Sequence, residues 1–250
     1  MTQSCIIKHF QDFAELTRAE IDLLRTLERD ARPFAAGDSL RSIGDSSGSF
    51  FTLTEGWACA SRCLADGERQ VLDVFLPGQV MGLREIGYDH ALSDFVALTD
   101  IKACPFPKER LTEVFDRAPR LADLFMLTLA REQSILLERV INLGRRSAEE
   151  RLAHFLVEMK TRVAPNAASF ELHMNQTIIG DTLGLSTVHV SRTLRALSDR
   201  GLIAKAGSRV RILDLSALVD FAGFNPTYLE RNVTWARQSR AEGCEELADD

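Results

Sequence analysis

The sequence predicts an α+β protein in three parts: an N-terminal antiparallel β jelly roll, one long helix, and a C-terminal winged helix-turn-helix. Three observations predict it. Over residues 32–108, short β-prone runs are punctuated by glycine turns about every ten residues, the texture of a jelly roll. Over residues 122–143, apolar positions step by four and three, as along a coiled-coil seam. Over residues 177–200, two short helical patterns meet at Gly184-Leu185, and a β-hairpin pattern follows, the order of a helix-turn-helix with a wing.

Residues 1 to about 32 read as helical. Phe10, Phe13, Leu16, Ile21, Leu23, Leu24 and Leu27 are spaced to pack, and Thr17-Arg18-Ala19-Glu20 has the form of a capping box. Cys5 and His9 lie here, and a single such pair is a weak metal signal. In the jelly roll, turns are marked by Ala36-Gly37-Asp38, Ile43-Gly44-Asp45, Glu55-Gly56, Asp66-Gly67 and Pro77-Gly78, with strands at residues 50–53, 57–64 and 70–76 between them. A metal-dependent jelly-roll enzyme needs clustered His and carboxylate ligands. His90 is the only histidine of this region and no His-x-His occurs, so no metal site is assigned and the chain is not read as an enzyme. Cys59 and Cys63 on one strand stand roughly 13 Å apart, too far for a disulfide. With Cys104 they read as buried structural thiols, a thiol switch being the alternative.

The long helix follows Pro119. Ala122, Met126, Leu129, Gln133, Leu136, Val140 and Leu143 form one stripe, while Leu121, Leu124, Phe125 and Ile135 form a second. One stripe can bury against the barrel. The other needs a further partner, either the same helix of a second copy in a parallel two-fold dimer or more of its own monomer. Gly144 is expected to break the helix and act as a hinge. Ser147-Ala148-Glu149-Glu150 then starts a helix whose Leu152, Phe155, Leu156, Met159 and Val163 face inward.

In the helix-turn-helix, Ile178, Ile179 and Leu183 supply the apolar side of the first helix, and Ser186 is the N-cap of the second. Val190, Leu194 and Leu197 face inward, which turns Val188, Arg192 and Arg195 outward between His189 and Ser191. The fork of an arginine matches guanine O6 and N7 in the major groove; an ordinary surface helix with solvated arginines is the bland alternative. Residues 169–174 alternate as a strand, and the hairpin around Ala206-Gly207-Ser208 carries Lys205, Arg209 and Arg211, placed to meet phosphates. Residues 215–221 form a short helix, Asn225-Pro226 turns the chain, and the tail from Thr227 is helical in propensity with its last few residues disordered.

The 250-residue chain has a net charge of −6, yet eleven of its 30 Lys and Arg but only six of its 36 Asp and Glu lie in residues 144–212. A basic module on an acidic body suits one part approaching phosphates while the rest does not. No run of 18 apolar residues and no signal peptide is present, so no membrane association and a cytoplasmic location are expected. Five widely spaced cysteines do not make a secreted disulfide framework.

This order of parts resembles the cyclic-AMP receptor protein and fumarate–nitrate regulator (Crp/Fnr) family of bacterial transcription factors. The barrel motifs are Phe34-x-x-Gly37-Asp38, Leu53-x-x-Gly56 and Leu76-Pro77-Gly78-Gln79-Val80-Met81-Gly82. Those of the reading module are Leu183-Gly184-Leu185-Ser186, Val190-Ser191-Arg192-Thr193-Leu194 and Gly201-Leu202-Ile203. The resemblance implies a cyclic-nucleotide-binding-like sensor barrel (residues 1–116), a dimerisation helix and hinge (117–144), a winged helix-turn-helix (145–213) and a C-terminal extension (214–250). It implies an arginine on guanine at Arg192 and a serine at Ser191. Val188 stands where many members use a glutamate that accepts from cytosine N4, and valine can only touch a thymine methyl. Base reading is thus expected from Thr187, Val188, His189, Ser191 and Arg192, and phosphate contact from Ser186, Arg195, Lys205, Arg209 and Arg211.

Nucleotide-binding members follow the glycine with Glu and later place an Arg on the phosphate. Here Gly82 is followed by Leu83, and Leu92-Ser93-Asp94 stands at the later position, with Arg84 as the one possible substitute. The effector pocket expected around Gly82, Leu83, Arg84, Ser93 and Asp94 therefore does not suit cyclic AMP. Cys5 alone near the N-terminus argues against an iron–sulfur cluster, and no residue pattern supports haem, although His90 does not exclude it. No cofactor is assigned. The reading is a homodimeric regulator on palindromic double-stranded DNA, with an unidentified small-molecule effector and, for an activator, a contact to RNA polymerase. The alternative is a ligand-sensing or partner-binding protein with degenerate DNA binding.

Overall fold

The computed structural model describes residues 4–11 and 13–230. The expected helix and disorder of the tail fall, beyond Glu230, outside the described residues, as do Cys244 and the side chains of Cys5 and Leu27. No described helix is long and apolar enough to cross a membrane.

The N-terminal segment, read as helical, is two helices, α1 (Cys5–Gln11) and α2 (Arg18–Leu27), the second starting at the capping box that the sequence shows. Thr17 sets that start. Its hydroxyl accepts from the Glu20 N–H at 3.3 Å, and the Glu20 carboxylate accepts from the Thr17 N–H at 2.7 Å, a reciprocal cap that fixes a new helix start.

Eight strands follow: β1 (Arg32–Phe34), β2 (Ser39–Arg41), β3 (Ser49–Glu55), β4 (Ala58–Cys63), β5 (Arg69–Phe75), β6 (Val80–Met81), β7 (Asp94–Ala97) and β8 (Ile101–Pro107). They form two antiparallel sheets in the orders β1-β8-β3-β6 and β2-β7-β4-β5. Inward-facing Phe51, Leu53, Phe75, Met81, Phe95 and Ile101 fill the space between them, the alternation expected of two facing sheets.

After α3 (Leu111–Arg117), α4 (Pro119–Arg145) crosses the barrel. Its Leu121, Leu124 and Phe125 bury against α1, α2 and the first sheet as expected, with the Phe10 and Phe125 rings 4.8 Å apart edge to face. The opposite face is only partly the stripe read in the sequence. Met126, Gln133 and Val140 are exposed, but Leu129, Leu136 and Leu143 are half-buried, and Ala130, Leu137, Ile141 and Gly144 are exposed instead. At about 100° per residue these exposed positions fall within about 60° of one line. Met126, Leu137, Val140 and Ile141 on it are 68%, 55%, 60% and 49% exposed. In the single chain the exposed face is thus turned by roughly 60° from the stripe read in the sequence, with Met126, Gln133 and Val140 common to both.

Nor does Gly144 break α4, which continues to Arg145; the turn is at Arg146, with φ −89° and ψ 147°. Glycine in a helix costs only about 1 kcal/mol against alanine, and local contacts place the turn two residues later, at Arg146. Arg146 donates to the carbonyls of Ala222 and Gly223 and pairs with Glu138 at 2.8 Å. Arg151 donates to the carbonyls of Leu143, Arg146 and Leu183. The junction is pinned by two guanidiniums.

Beyond it lie α5 (Ala148–Val163), β9 (Ser169–Glu171), α6 (Gln176–Leu183), α7 (Thr187–Asp199), β10 (Ile203–Ala206), β11 (Arg209–Ile212), α8 (Leu215–Ala222) and a 3-10 turn at Pro226–Leu229. Ser147 and Glu150 cap α5 reciprocally, as its sequence predicts. The three-stranded sheet β10-β11-β9 is antiparallel. Strand β9 is shorter than the alternation suggested, although Leu172 and Met174 are still buried. One continuous core joins Leu152, Phe155, Leu156, Ile179 and Val190 of this module to Val71 and Val74 of the barrel. Across that contact Arg69 pairs with Asp181 of α6 at 2.6 Å.

Candidate DNA interface

Local sequence explains the two reading helices. Asn175 caps α6 by accepting from the Ile178 N–H at 2.9 Å, and Ser186 caps α7 by accepting from the His189 N–H at 3.3 Å. Between them Gly184 takes φ +63° as the left-handed end of α6. Ile179 and Leu183 pack inward against Val190, Leu194 and Leu197. At Gly180 a Cβ would collide with the backbone carbonyl of Leu185. Only glycine lets the turn close that tightly. Gly180→Val is expected to cost about 1–3 kcal/mol by overpacking. Urea denaturation checks this, and an unchanged midpoint would show that the Leu185 carbonyl can yield.

With its inner side fixed, α7 presents Thr187, Val188, His189, Ser191, Arg192 and Arg195 to solvent, Val188 being 66% exposed. Five of these six, all but His189, line one shallow concavity together with Gln176. Gln176 was missed in the sequence because it opens the other helix and reaches this face only through the fold. Ser186 is exposed beside this face while its hydroxyl oxygen caps the helix.

The wing brings Lys205, Arg209 and Arg211 to one hairpin, where Lys205 stands opposite Val210, and Ala204 opposite Arg211. Lys205 Nζ donates to the Gly207 carbonyl across the turn. Arg209 is engaged by Glu171 at 2.9 Å. Hydrogen bonds from Ser208 and Arg209 hold the Glu171 carboxyl below its usual range. An exposed pair of this kind is weak, so a phosphate can compete for Arg209. Arg211 is exposed.

The residues expected to make an effector pocket are not brought together. Leu83 is fully buried and packs with Phe10 and Phe50 on the N-terminal side of the barrel. Arg84 turns to Asp73 at 3.8 Å. Asp94 accepts from the Ile43 N–H at 2.8 Å, and Ser93 is buried. Gly82 has φ +85° and faces the Arg41 guanidinium so closely that a Cβ would overlap it. Arg41 lies inside the barrel, 4.9 Å from the Phe95 ring centroid, and pairs with the buried Glu85 at 3.4 Å. This pair and the apolar side chains of the barrel core lie beside Gly82, and no arginine there faces solvent as a free phosphate ligand among the residues expected to form the pocket.

The three cysteines whose side chains are described, Cys59, Cys63 and Cys104, do not by themselves make the four-thiolate set of an iron–sulfur cluster. Cys59 and Cys63 lie on β4 and Cys104 on the other sheet. Among the described residues no group of three or more His, Cys, Asp or Glu could hold a metal. Cys59 and Cys104 are buried but Cys63 is exposed, which corrects the expectation of three buried thiols. Burial pushes the Cys59 thiol up to about 11, so it is a poor nucleophile at neutral pH. Both ring nitrogens of His9 face protein oxygens, Nδ1 at 2.7 Å from the Gly78 carbonyl and Nε2 at 3.0 Å from the Thr128 hydroxyl.

A jelly roll joined by a long helix to a winged module that presents a cationic reading helix defines a class: DNA-binding regulators with an attached sensor-type barrel. Comparison with known proteins names the family. Residues 31–118 match the model of the cyclic nucleotide-binding domain, and residues 150–221 that of the Crp-like helix-turn-helix domain. The chain is 31% identical over 211 residues to the transcriptional activator protein anr of Pseudomonas aeruginosa, covering 83% of this chain and 86% of that protein. It is 28% identical over 224 residues to the fumarate and nitrate reduction regulatory protein of Escherichia coli, covering 88% and 90%. The structure of FixK2 from Bradyrhizobium japonicum matches with a TM-score of 0.72 at 25% identity, over 77% of this chain and 96% of that one. The chain belongs to the Crp/Fnr family of DNA-binding transcription regulators.

Proposed function

We propose that this regulator acts in the cytoplasm as a homodimer on a palindromic site in double-stranded DNA, without cyclic AMP, an iron–sulfur cluster or haem, and without enzymatic activity. The observation that carries the reading is the exposed face of α7, where Arg192 stands between Val188, Ser191 and Arg195 over an apolar anchor. Arg192 reads guanine, with Thr187, Val188, His189 and Ser191 on neighbouring base edges and Gln176 beside them. Ser186, Arg195, Lys205, Arg209 and Arg211 meet phosphates and supply sequence-blind, salt-dependent affinity. Residues 1–116 are the sensor, the helix after them the dimerisation element, residues 145–213 the reader and residues 214–250 an extension. Two reading helices would enter major grooves about 34 Å apart. A small-molecule effector and RNA polymerase are the remaining partners of this reading.

The Arg69–Asp181 pair and the shared core tie the barrel to α6, so a change in the barrel bears directly on the reader. A DNA selection with the purified chain, run beside Arg192→Ala, tests the proposal. The wild type should enrich a palindrome whose half-site lacks the preference that a glutamate at position 188 would give. Arg192→Ala should lose about 1–3 kcal/mol at one base pair per half-site. Identical enrichment from both proteins would refute the role of Arg192, and enrichment of the glutamate-type half-site would refute that of Val188.

A further inference from the structure

Where the barrel, α4, α5 and the last 3-10 turn meet, the chain leaves a crevice of about 330 Å³. Leu76, Pro77 and Leu229 give it an apolar wall, and Gln79, Arg131 and Arg162 give it a polar floor. The same three polar residues line a smaller cavity of about 20 Å³ behind it, with Asp73, Thr128 and Glu132, room for about one water.

The floor is electrically unbalanced. Arg84, Arg131, Arg139 and Arg162 gather around Asp73, Glu132 and Glu158. Asp73 pairs with Arg84 at 3.8 Å and with Arg139 at 3.5 Å, and Glu158 with Arg139 at 3.8 Å and Arg162 at 2.9 Å. Burial, and then Asp73, pushes the Glu132 carboxyl up to about 8, so at neutral pH it is mostly protonated. Four guanidiniums thus face three carboxyl groups, an excess of positive charge even with Glu132 ionised and a larger one when it is protonated. Burial, and then the neighbouring Arg162, lowers Arg131 to about 10. Donors are left over as well as charge. Arg131 Nε, Arg139 Nη2 and Arg162 Nε are buried without a hydrogen-bond partner, and the Arg162 side chain is only 3% exposed. Unmet buried donors are costly, and a self-contained ion network would balance both counts.

We propose that this crevice binds a small organic oxyanion, a carboxylate or phosphate ester, with its head between Arg131 and Arg162 and a short apolar body against Leu76, Pro77 and Leu229. The planar guanidinium matches either head group, and the volume lies in the range of small-ligand pockets. Such a ligand would touch the barrel turn, α4, α5 and the C-terminal turn at once. Its regulatory consequence rests on the DNA-reading proposal above; its binding does not.

The test is calorimetric titration and thermal unfolding of the full chain with inorganic phosphate and with succinate, against chloride at equal ionic strength. At least one of the two should bind saturably and raise the melting temperature, and which one does identifies the head group. Arg162 also holds the carbonyl of Val74 and Gln79, so its removal endangers the fold. Arg131, which donates to the Leu229 carbonyl at 3.3 Å, is the better probe. Arg131→Gln should weaken binding about tenfold or more. Thr161→Glu, which sets a carboxylate at the crevice edge, should weaken it comparably and covers the case in which the first variant does not fold. No saturable binding of either anion, or unchanged affinity in both variants, would overturn the proposal. A failed DNA selection with anion binding intact would instead strike the DNA reading alone.

Discussion

Replacing Leu137 and Ile141 by glutamate is expected to leave the chain folded but monomeric, and to weaken binding to a palindromic site by about 10²–10⁴-fold through lost avidity. Both side chains project from α4 into solvent in the single chain, 55% and 49% exposed. The substitutions therefore remove nothing from the monomer's core, and far-ultraviolet circular dichroism should be unchanged. In a two-fold pair the same positions meet their own copies. There each leucine or isoleucine contributes about 1.5–3 kcal/mol if fully buried, while facing glutamates repel. Sedimentation velocity reads the association, and titration against full and half sites reads its consequence. The half-site affinity should be unchanged, because neither Leu137 nor Ile141 belongs to the core that seats α7. A variant that stays dimeric would place the dimer contact elsewhere.

The exposed face of α4 shows where sequence reading reaches its limit. Leu136 and Leu137 are both apolar, and α4 carries apolar residues around most of its circumference. Which of the two faces solvent is decided by how Leu121, Leu124 and Ile135 seat on the barrel, a tertiary fact. Gly144 misled for a related reason. Its helix propensity is a weak local prior, and the turn is placed by Arg146 and Arg151 reaching to carbonyls from Leu143 to Gly223. By contrast α7 was legible almost residue by residue. Its cap at Ser186 and its inward Val190, Leu194 and Leu197 are local signals, and fixing the inner face fixes the outer one. Gln176, the pocket residues that diverge and the arginine-rich crevice depend on contacts between distant segments, to which periodicity is blind.

The same is true of the buried pair inside the barrel, whose partners are 44 residues apart. Arg41→Met is expected to destabilise the chain by about 3–5 kcal/mol, because it leaves a buried carboxylate without its counter-charge. The side chains of Arg41 and Glu85 are 5% and 1% exposed. Arg41 Nη1 donates to the Ser49 carbonyl at 2.6 Å, and Nη2 reaches Glu85 Oε2 at 3.4 Å. Burial lowers the Arg41 pKa, outweighing the opposing pull of Glu85. Little compensation is available to Glu85 once the arginine is gone, since its Oε1 already has no hydrogen-bond partner. Such a loss is a large part of the roughly 5–15 kcal/mol that holds a domain folded. The double variant Arg41→Met/Glu85→Leu removes both charges and keeps an apolar filling between Phe51 and Phe95, so it should regain most of the loss. Equilibrium urea unfolding of the three proteins measures both steps. If the single variant matched the wild type, Glu85 would have to be protonated or reached by water, and a fall in stability with rising pH would identify the first. If the double variant stayed as unstable as the single one, the arginine's packing over Phe95, rather than its charge, would be what the barrel needs.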